Sequence, residues 1–532
     1  MLAFSVIPSF PSRVQEYLPI AERGYLSMTD GASFSYDGNV TLNYNTLVNE
    51  KHIIYAGVGL EVTQNDNNSH GFIMTGFPDD RYSDPAFAIQ YKKETKPSSS
   101  ESKSRAIGFF ANGNYSYDDR YFADVSVRID GSSKFGADKK YAPFWSAGAG
   151  WNVHNEKFFK HTKISMLKLR YSYGVTGNQE FSAYQAKTMF QFNTDRLYNS
   201  GISAALMGYG NPDLEWQNQY QSNYGFDFGY AKDRIRLQFN YYQKKTEGML
   251  TSVSVAPSLG LPSNTFTSNL GKIQNKGVEV NLNAVLIRDQ GKDFEWSVML
   301  QAAHNKNKIM EISTALKNIN EKNNQDKTTP AAVYEEGESM SAIKAVPSLG
   351  IDPTTGQELF MKKDGTITYT WDATDKVICG DSEPKVFGNV GTNLYWKGWN
   401  LNMVFKYDLG ADYYNSTLAE RVEGANPRYN ADRRVLNNRW KEPGQHALYK
   451  NIKEYTTTYI SSRFVQKENT LQLTSLSLSY DLNREWIRKF GLNTMRLSFY
   501  MNDVFRASTV KNERGLDYPF QRSFVFGLNI GF

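Results

Sequence analysis

Residues that could carry chemistry are sparse in this sequence and do not fall into catalytic or metal-binding spacings. The chain has one cysteine, Cys379, and six histidines among 532 residues. A lone cysteine excludes a disulfide framework, a cysteine-based zinc site and a CxxC redox centre. The sequence also lacks a GxSxG nucleophile elbow, an HExxH zinc motif and a glycine-rich phosphate loop. We therefore predict no enzyme activity, no cofactor and no metal, and we interpret Cys379 as a bystander.

Carboxylates occur in groups, but their spacing favours turns over sites. Asp352, Glu358 and Asp364 lack the D-x-D-x-D-G pattern with a distal glutamate that a calcium loop needs. The pairs Asp79–Asp80 and Asp118–Asp119 could suggest glycosidase acids, which must lie about 5 to 9 Å apart across a cleft. Adjacent acids on a strand point to opposite faces, and Asp-Pro and Asp-Gly steps are ordinary turn formers. The turn interpretation is the stronger one for each group.

Aromatic side chains are the third chemical feature, because several fall in long polar segments where they could stack on sugar rings. Their alternative role is loop packing or contact with a covering protein, which is the stronger expectation for any single residue. Four of them, all in one segment, are the ligand-stacking candidates: Tyr413, Tyr414, Tyr429 and Trp440. The others are Phe72, Phe77, Tyr82, Tyr209 and Tyr449.

Composition restricts the class of protein that must position these residues. Lys and Arg number 60 against 55 Asp and Glu, so the net charge is only +5, which excludes a polybasic nucleic-acid binder. Tyr, Phe and Trp make up 14% of the chain, although the mean hydropathy is −0.55. No run of 18 apolar residues is present, so no transmembrane helix is predicted. The opening MLAFSVIPSFPSR has neither a basic start nor a small-residue cleavage site and is not predicted to be a signal peptide.

Alternation of apolar and polar residues with period two is the dominant pattern of the chain. In RYFADVSVRID (120–130), Tyr121, Val125 and Ile129 fall on one face, and Asp124 and Arg128 on the other. The same pattern recurs in 234–244, 277–286, 399–408, 495–503 and 523–532. About 17 such runs occur, mostly 9 to 15 residues long, whereas globular strands average about 5 to 6. Crossing a bilayer at about 45° tilt takes about 9 to 11 residues per strand.

The connections between these runs are of two kinds, as in outer-membrane barrels. Tight turns are predicted at 117–119 and 397–398, and long polar loops near 65–104, 306–340 and 411–465. Helical spacing within 307–322 and 416–444 is interpreted as ordered loop structure containing short helices. We predict an all-β fold, an antiparallel transmembrane β-barrel. A soluble β-sandwich or propeller also alternates, but mid-strand charges such as Asp124, Arg128 and Arg236 suit a wet lumen better than an exterior.

Several long segments, in order, resemble the SusC/RagA-like TonB-dependent transporters of the Bacteroidetes outer membrane. They are SYDDRYFADVSVRIDGSSKFGADKKYAPFWSAGAGWNVHNEKFF (116–159), GNPDLEWQNQYQSNYGFDFG (210–229), NLGKIQNKGVEVNLNA (269–284), GIDPTTGQELFMKKDG (350–365), GDSEPKVFGNVGTNLYWKGWNLNMVFKYDLGADYYN (380–415) and YPFQRSFVFGLNIGF (518–532). The resemblance covers nearly the whole chain. It implies TonB-dependent import of oligosaccharides or peptides with a SusD-like surface lipoprotein, in the outer membrane.

The resemblance also implies N-terminal segments that are not recognisable in this sequence. Family members are roughly twice as long and carry a signal peptide, a TonB-interacting segment and a plug inside a 22-stranded barrel. We therefore expect residues 1–532 to form the C-terminal part of such a barrel, about 17 of 22 strands, without the plug. Contact with the TonB complex would be made through the missing N-terminal region, and the barrel strands would contact outer-membrane lipid.

The last strand matches the signal that outer-membrane assembly machinery recognises in this family, as the resemblance implies. Its apolar face alternates and ends in an aromatic residue: Phe524, Phe526, Leu528, Ile530 and Phe532. Two rival functions stay open at this point. One is a passive porin-like barrel, and the other is a secreted all-β glycan-binding protein.

Overall fold

The computed structural model describes most of the chain, and nearly all of its regular structure is β-strand. The described residues are 2–9, 17–77, 84–136, 139–159, 163–179, 183–198, 201–254, 265–269, 271–312, 317, 320–321, 323–328, 330, 332–426, 428, 432–454, 456–511 and 521–532. No helix among them is long and apolar enough to cross a membrane.

Long strands dominate the element order. The strands are β1 (Leu2–Ser9), β2 (Tyr25–Val48), β3 (His52–Thr75), β4 (Gln90–Tyr91), β5 (Ser98–Tyr117), β6 (Tyr121–Ser132), β7 (Tyr141–Asn152), β8 (Ile164–Asn178), β9 (Met189–Tyr198), β10 (Gly201–Gly208), β11 (Gln217–Tyr230), β12 (Ile235–Glu247), β13 (Leu250–Ser254), β14 (Thr265–Asn269), β15 (Lys272–Asp289), β16 (Phe294–Glu311), β17 (Ala342–Ala345), β18 (Ser348–Ile351), β19 (Glu358–Met361), β20 (Ile367–Thr368), β21 (Val377–Asp381), β22 (Val386–Trp396), β23 (Trp399–Tyr414), β24 (Val465–Asp481), β25 (Thr494–Ser508) and β26 (Phe524–Gly531).

The described helices are short and lie in the connections. The α-helix α1 spans Arg484–Ile487, and a π-helix spans Thr417–Glu423. The 3-10 helices are Ile20–Glu22, Pro85–Phe87, Val153–Asn155, Lys157–Phe159, Ala373–Asp375, Arg433–Leu436, Ser462–Phe464 and Arg488–Phe490.

The long strands form one antiparallel meander, in which each strand pairs with the next long strand along the chain. The order is β1, β2, β3, β5, β6, β7, β8, β11, β12, β15, β16, β22, β23, β24, β25 and β26. With the two-residue β4 beside β3, this sheet has 17 strands. The described strands leave β1 and β26 as open edges, since no pairing joins them. Closure of the sheet, the strand number of the complete protein and the absence of a plug stay predictions.

Turns at one end of the sheet are tight, as predicted, and left-handed backbone conformations make them so. Asp118 and Asp119 have φ of 50° and 51°, and Lys397 and Gly398 have φ of 47° and 87°. Two consecutive residues with positive φ match the right-handed twist of the flanking strands in a two-residue hairpin. The Asp118–Asp119 pair is therefore a turn. The other pair, Asp79–Asp80, lies outside the described residues.

Connections at the other end are long, but the strands continue further into them than the sequence predicted. Strand β3 runs to Thr75 and β5 begins at Ser98, so the first predicted loop, 65–104, shortens to 76–97. Likewise β16 extends to Glu311, and the third loop occupies 415–464 between β23 and β24. Polar residues can extend a strand beyond the apolar zone because backbone pairing, and not side-chain burial, holds it there.

The predicted helical patch at 307–322 is wrong in its first part. Ile309 belongs to β16, opposite Ile273, and is buried. Its spacing from the later isoleucines matches one face of a helix. Residues 307–311 are nevertheless strand, because they pair with β15 through backbone hydrogen bonds. Helix begins only after this point, where 317, 320–321 and 323–324 are helical among the described residues. The second patch, 416–444, contains the predicted short helices within a loop.

The sheet exposes its apolar face, which excludes the soluble β-sandwich. Val125, Val127 and Ile129 of β6 are 51%, 45% and 45% exposed. The accessible surface of the chain is 33140 Å², whereas a folded soluble protein of this mass exposes roughly 19,000 Å². A solvated sheet face of this kind is explained by contact with lipid. We call this the apolar face and its opposite the polar face.

An aromatic row marks the apolar face at the tight-turn end. The rings of Tyr117, Tyr121 and Trp151 stack across three strands, with centroids 6.5 and 6.3 Å apart. Glu156 accepts hydrogen bonds from Trp151 Nε1 at 3.1 Å and Tyr121 Oη at 2.9 Å. These bonds hold the pKa of Glu156 below its ordinary range. Aromatic side chains with an apolar ring and a polar hydrogen-bonding group are typical of a membrane interface.

Candidate functional site: the polar face and the loop layer

The polar face carries charged side chains in mid-strand that pair with one another within and between strands. Arg128 of β6 donates to Glu61 of β3 at 2.8 Å and to Asp130 at 2.5 Å. Further along the sheet, Arg170 of β8 donates to Asp227 of β11 at 2.9 Å and to Asn240 of β12 at 3.0 Å. Because paired charges tolerate partial desolvation while remaining available to water, this face suits the wall of a wet passage.

A folded layer of loops covers the long-loop end of the sheet around β23 and β24. We define the loop layer as residues 332–385 and 415–464. It contains two small sheets, β17–β21 and β18–β19–β20, and the π-helix Thr417–Glu423. Tyr414, where β23 enters this layer, is 15 residues beyond Trp399 at the tight-turn end. That distance is about 50 Å along the strand, or about 35 Å perpendicular to a membrane at 45° tilt. The loop layer therefore stands beyond the ~25 Å apolar band of a barrel.

A buried set of charges joins the segments of the loop layer. We define the ionic cluster as Glu358, Glu423, Lys450 and Arg463. The guanidinium of Arg463 contacts Glu423 at 2.5 and 2.8 Å and Glu358 at 2.8 and 3.2 Å. The side chains of Glu358, Glu423 and Arg463 are only 5%, 0% and 11% exposed. A bidentate guanidinium between two carboxylates is the geometry that compensates such burial.

The protonation of this cluster follows from its surroundings. Burial alone would lower the pKa of Arg463, but the hydrogen bonds and charges of Glu423 and Glu358 outweigh it and raise that pKa above its ordinary value. Burial lowers the pKa of Lys450, whose ammonium lies 3.9 Å from Glu423 and donates to Thr456 and Thr457. Arg463 is thus a permanent cation between two acids, and it holds three loops in one arrangement.

Arg439 also connects segments of the loop layer, by donating hydrogen bonds to their backbone carbonyls. Its buried guanidinium donates to the carbonyls of Val435 at 2.7 Å, Lys450 at 3.1 Å and Glu423 at 2.9 Å, and also to Val422. These carbonyls come from the end of the π-helix, the following 3-10 helix and the next loop. The loop layer is accordingly a cross-linked body.

The sequence-predicted ligand-stacking aromatics occupy different environments in this layer. Trp440 donates from Nε1 to the carbonyl of Pro353 at 2.8 Å, and its ring covers Gly356 so closely that a Cβ there would lie 2.5 Å from it. Gly356 also has φ of +74°, so glycine is required twice over. Trp440 thus packs on the 352–357 turn.

The two tyrosines at the end of β23 lie beside the ionic cluster. Tyr414 packs edge-on against Phe464 at 6.1 Å, and its hydroxyl has no hydrogen-bond partner in the described part of the chain. Burial, followed by the charge of Glu358, raises its pKa well above the ordinary value. Tyr413 is half-buried and pairs with Gln466 across the ladder, and Tyr429 lies outside the described residues. Sugar stacking by these four residues stays a prediction.

The remaining loop aromatics are spread over the long-loop end. Phe77 is buried, Phe72 and Tyr449 are half-buried and Tyr209 is exposed, whereas Tyr82 lies outside the described residues. Sequence reasoning overlooked a stacked pair in the loop layer, Trp371 and Tyr459, whose centroids lie 5.2 Å apart.

The grouped acids do not converge. Asp352 accepts hydrogen bonds from Thr355 Oγ1 at 2.9 Å and Tyr369 Oη at 2.6 Å, and Asp364 accepts from Thr366, so both are turn-forming acids. Glu358 belongs to the ionic cluster. Cys379 is half-buried, its thiol donates to the carbonyl of Ala345 at 3.5 Å, and burial raises its pKa, which disfavours the reactive thiolate.

The apolar side of the last strand faces away from the polar face. In register, Phe524, Phe526, Leu528 and Ile530 of β26 lie opposite Met501, Phe499, Leu497 and Met495 of β25. The four β26 side chains are 42% to 80% exposed, and the terminal Phe532 is 87% exposed. The predicted assembly segment is thus an open-edge strand with an uncovered apolar face.

Most of the amino-acid sequence matches the model of one known protein family. The family model described as TonB dependent receptor-like, beta-barrel, matches residues 8–504. The chain belongs to this family. It is an outer-membrane protein, and its family is one of receptors and transporters, so the soluble glycan-binding rival is set aside.

Individual relatives of this receptor agree with the SusC/RagA resemblance. The TonB-dependent receptor P3 of Formosa agariphila is 28% identical over 82% of this chain and 46% of its own length. The TonB-dependent receptor SusC of Bacteroides thetaiotaomicron is 23% identical over 94% of the chain and 51% of its own length. Among solved structures, the RagAB peptide transporter superposes with a TM-score of 0.84 at 22% identity, over 96% of this chain and 56% of that one. The receptor chain thus spans about half the length of the curated relatives it matches.

Shortening the receptor by its last residue tests the assembly segment. Deletion of Phe532 is expected to lower the amount of folded protein in the outer membrane several-fold, because the exposed terminal aromatic ring is the end of the predicted recognition pattern. Quantitative blotting of membrane fractions, with heat-modifiable gel migration as the folding readout, measures this. Deletion should act more strongly than Phe532→Tyr, which keeps an aromatic terminus. Equal folded amounts for the wild type and the deletion would contradict the assembly role.

Proposed function

We propose that this chain forms the barrel wall and extracellular loop layer of an importer that moves oligosaccharides or peptides across the outer membrane. The import is driven through the TonB complex and proceeds with a SusD-like surface lipoprotein above the loops. The observation that carries the proposal is the combination of a lipid-exposed apolar face, an ion-paired polar face and a cross-linked loop layer at one end.

Each part of this arrangement supports one requirement of import. The polar face offers a wall of paired charges and amide side chains, which suits a polar solute. The loop layer offers a fixed surface, since Arg463 and Arg439 cross-link its segments. A fixed surface is suited to docking a partner protein, because little conformational entropy is lost on binding. The relatives P3 and SusC are TonB-dependent receptors, and RagAB is a peptide transporter.

Uptake in the native host tests the energy coupling. Cells lacking the gene are expected to lose uptake of one class among labelled oligosaccharides and peptides at least tenfold, and a plasmid copy should restore it. Removal of TonB should abolish the same uptake. Uptake that persists without TonB, but is lost with the gene, would favour the passive porin-like alternative. Unchanged uptake of every class after gene deletion would contradict a role in import.

Isolation of the protein from native outer membranes tests the assembly. A lipoprotein should co-purify in equimolar amount in mild detergent, and its absence would contradict the partner part of the proposal.

The intact mass of the protein tests whether the energy-coupling parts belong to the same polypeptide. A species well above 60.5 kDa containing these peptides would place the energy-coupling parts in the same polypeptide. A species of 60.5 kDa would require a second chain to supply them, or would favour the passive pore.

A further inference from the structure

A groove on the apolar face combines an apolar floor with a rim of cationic side chains. Its volume is about 520 Å³. The floor is a single row across four neighbouring strands, in register: Val62 of β3, Ile107 of β5, Gly131 of β6 and Tyr141 of β7. Gly131 has the same orientation as the exposed Val127 and Ile129, so this row lies on the lipid-contacting side of the sheet.

Phe135, Gly136 and Pro212 form the roof of the groove and are tightly packed. Phe135 is 2% exposed and stacks on Trp216 at 4.4 Å, which ties the end of β6 to the segment before β11. Gly136 lies so close to Pro212 that a Cβ would come within 1.8 Å of its carbonyl oxygen. With Ala186, these residues line the side of the groove opposite its apolar floor.

The rim is cationic. Arg105, Lys140 and Lys187 line the groove, all three are exposed, and no aspartate or glutamate is among the described residues that line it. Arg105 uses Nε to contact Gln64 at 3.0 Å, and none of the three cations forms a salt bridge with a residue that the structure describes. This differs from the polar face, where the arginines in mid-strand are paired.

The height of the groove places it at one boundary of the bilayer. Tyr121 lies at the tight-turn end of β6, in the aromatic row, and Gly131 is ten residues further along the same strand. Ten residues span about 33 Å, which is about 25 Å perpendicular to the membrane at ~40° tilt. The apolar band of such barrels is also about 25 Å tall. The row at Gly131 and Tyr141 therefore lies level with the headgroups of the outer leaflet.

We propose that this groove binds an anionic lipid of the outer leaflet, with an acyl chain on the floor and a headgroup phosphate at Arg105, Lys140 and Lys187. Charge complementarity selects an anion, and the apolar floor selects one that carries a hydrocarbon chain. Because the floor lies on the lipid-contacting side of the sheet, a molecule already in the membrane is favoured over one from solution. In a Gram-negative outer leaflet, lipid A of lipopolysaccharide has this chemistry. The site is separate from the polar face, so this inference is independent of the transported substrate.

Native mass spectrometry of the full-length protein in a non-ionic detergent tests the site, with diphosphoryl lipid A as the probe. One lipid A per chain should bind at least tenfold more tightly than dephosphorylated lipid A. The Lys140→Ala/Lys187→Ala variant should lose about tenfold or more in affinity, since each cation adds to binding of an anionic headgroup. The matched control, Lys292→Ala/Lys489→Ala, removes two exposed cations at the tight-turn end and should bind as the wild type does.

A second variant separates lipid from a free anion. Ala186→Trp fills the groove without changing its charge and should weaken lipid A binding at least tenfold. Millimolar inorganic phosphate should displace little lipid. Heat-modifiable migration confirms that each variant is folded. The proposal is overturned if both double variants bind alike, if dephosphorylated lipid A binds equally well, or if phosphate displaces the lipid and Ala186→Trp has no effect.

Discussion

Replacing Arg463 with methionine is expected to unfold the loop layer while leaving the sheet intact. The substitution removes the cation that lies between Glu358 and Glu423, whose side chains are 5% and 0% exposed. Breaking a buried pair by removing one partner costs about 3 to 5 kcal/mol, because a charge is left uncompensated in a poorly solvated place. Lys450, 3.9 Å from Glu423, can compensate only part of this and does not reach Glu358 within ion-pair distance.

Limited proteolysis and hydrogen exchange measure this effect in detergent-solubilised protein. Cleavage within 332–385 and 415–464 should accelerate at least tenfold in the variant, whereas heat-modifiable migration of the barrel should be unchanged. The matched control is Arg496→Ala, which breaks the exposed pair Arg496–Asp481 and should cost no more than about 1 kcal/mol. If Arg463→Met and Arg496→Ala are cleaved equally slowly, the ionic cluster does not hold the loops.

The second large effect is expected for Trp216→Ala, which empties the centre of the main hydrophobic cluster. Trp216 is 6% exposed and packs with Phe135, Phe144 and Val175, joining the loop after β6 to the strands β7 and β8. Its ring stacks on Phe135 at 4.4 Å and meets Phe144 edge-on at 5.4 Å. Truncation of a buried Trp to Ala costs about 3 to 5 kcal/mol, since the cavity collapses only partly.

Urea unfolding in detergent, followed by gel migration, measures the change in the free energy of unfolding. Trp486→Ala is the matched control, because Trp486 is 52% exposed in α1, and its truncation should cost far less. Equal losses for the two variants would contradict the role of the cluster. The Trp216 variant should also weaken lipid A binding in the groove, because Phe135 loses the ring that supports the roof.

Features that depend on residues close together in the sequence could be predicted, whereas features that depend on distant residues could not. The two faces of β6 and the turn at Lys397–Gly398 were predictable, because period two and positive φ depend on near neighbours. Ile309 shows the limit of local patterns, since the same residues satisfied a helical spacing until pairing with β15 decided for strand. The family resemblance supplied the membrane and the direction of function, which periodicity alone left open between a barrel and a sandwich.

Contacts between distant residues could not be predicted from local patterns. Arg463 reaches Glu358 across 105 residues, and Trp216 meets Phe135 across 81 positions, and neither pair has a spacing that a sequence pattern can reveal. Long loops fold according to mutual burial and charge neutralisation, which depend on the whole set of segments at one end of the sheet. Local patterns in the sequence predicted most of the long strands, their two faces and the tight turns, but not how far the strands run into the loops. The loop layer, the ionic cluster and the lipid-facing groove arise from contacts between distant segments.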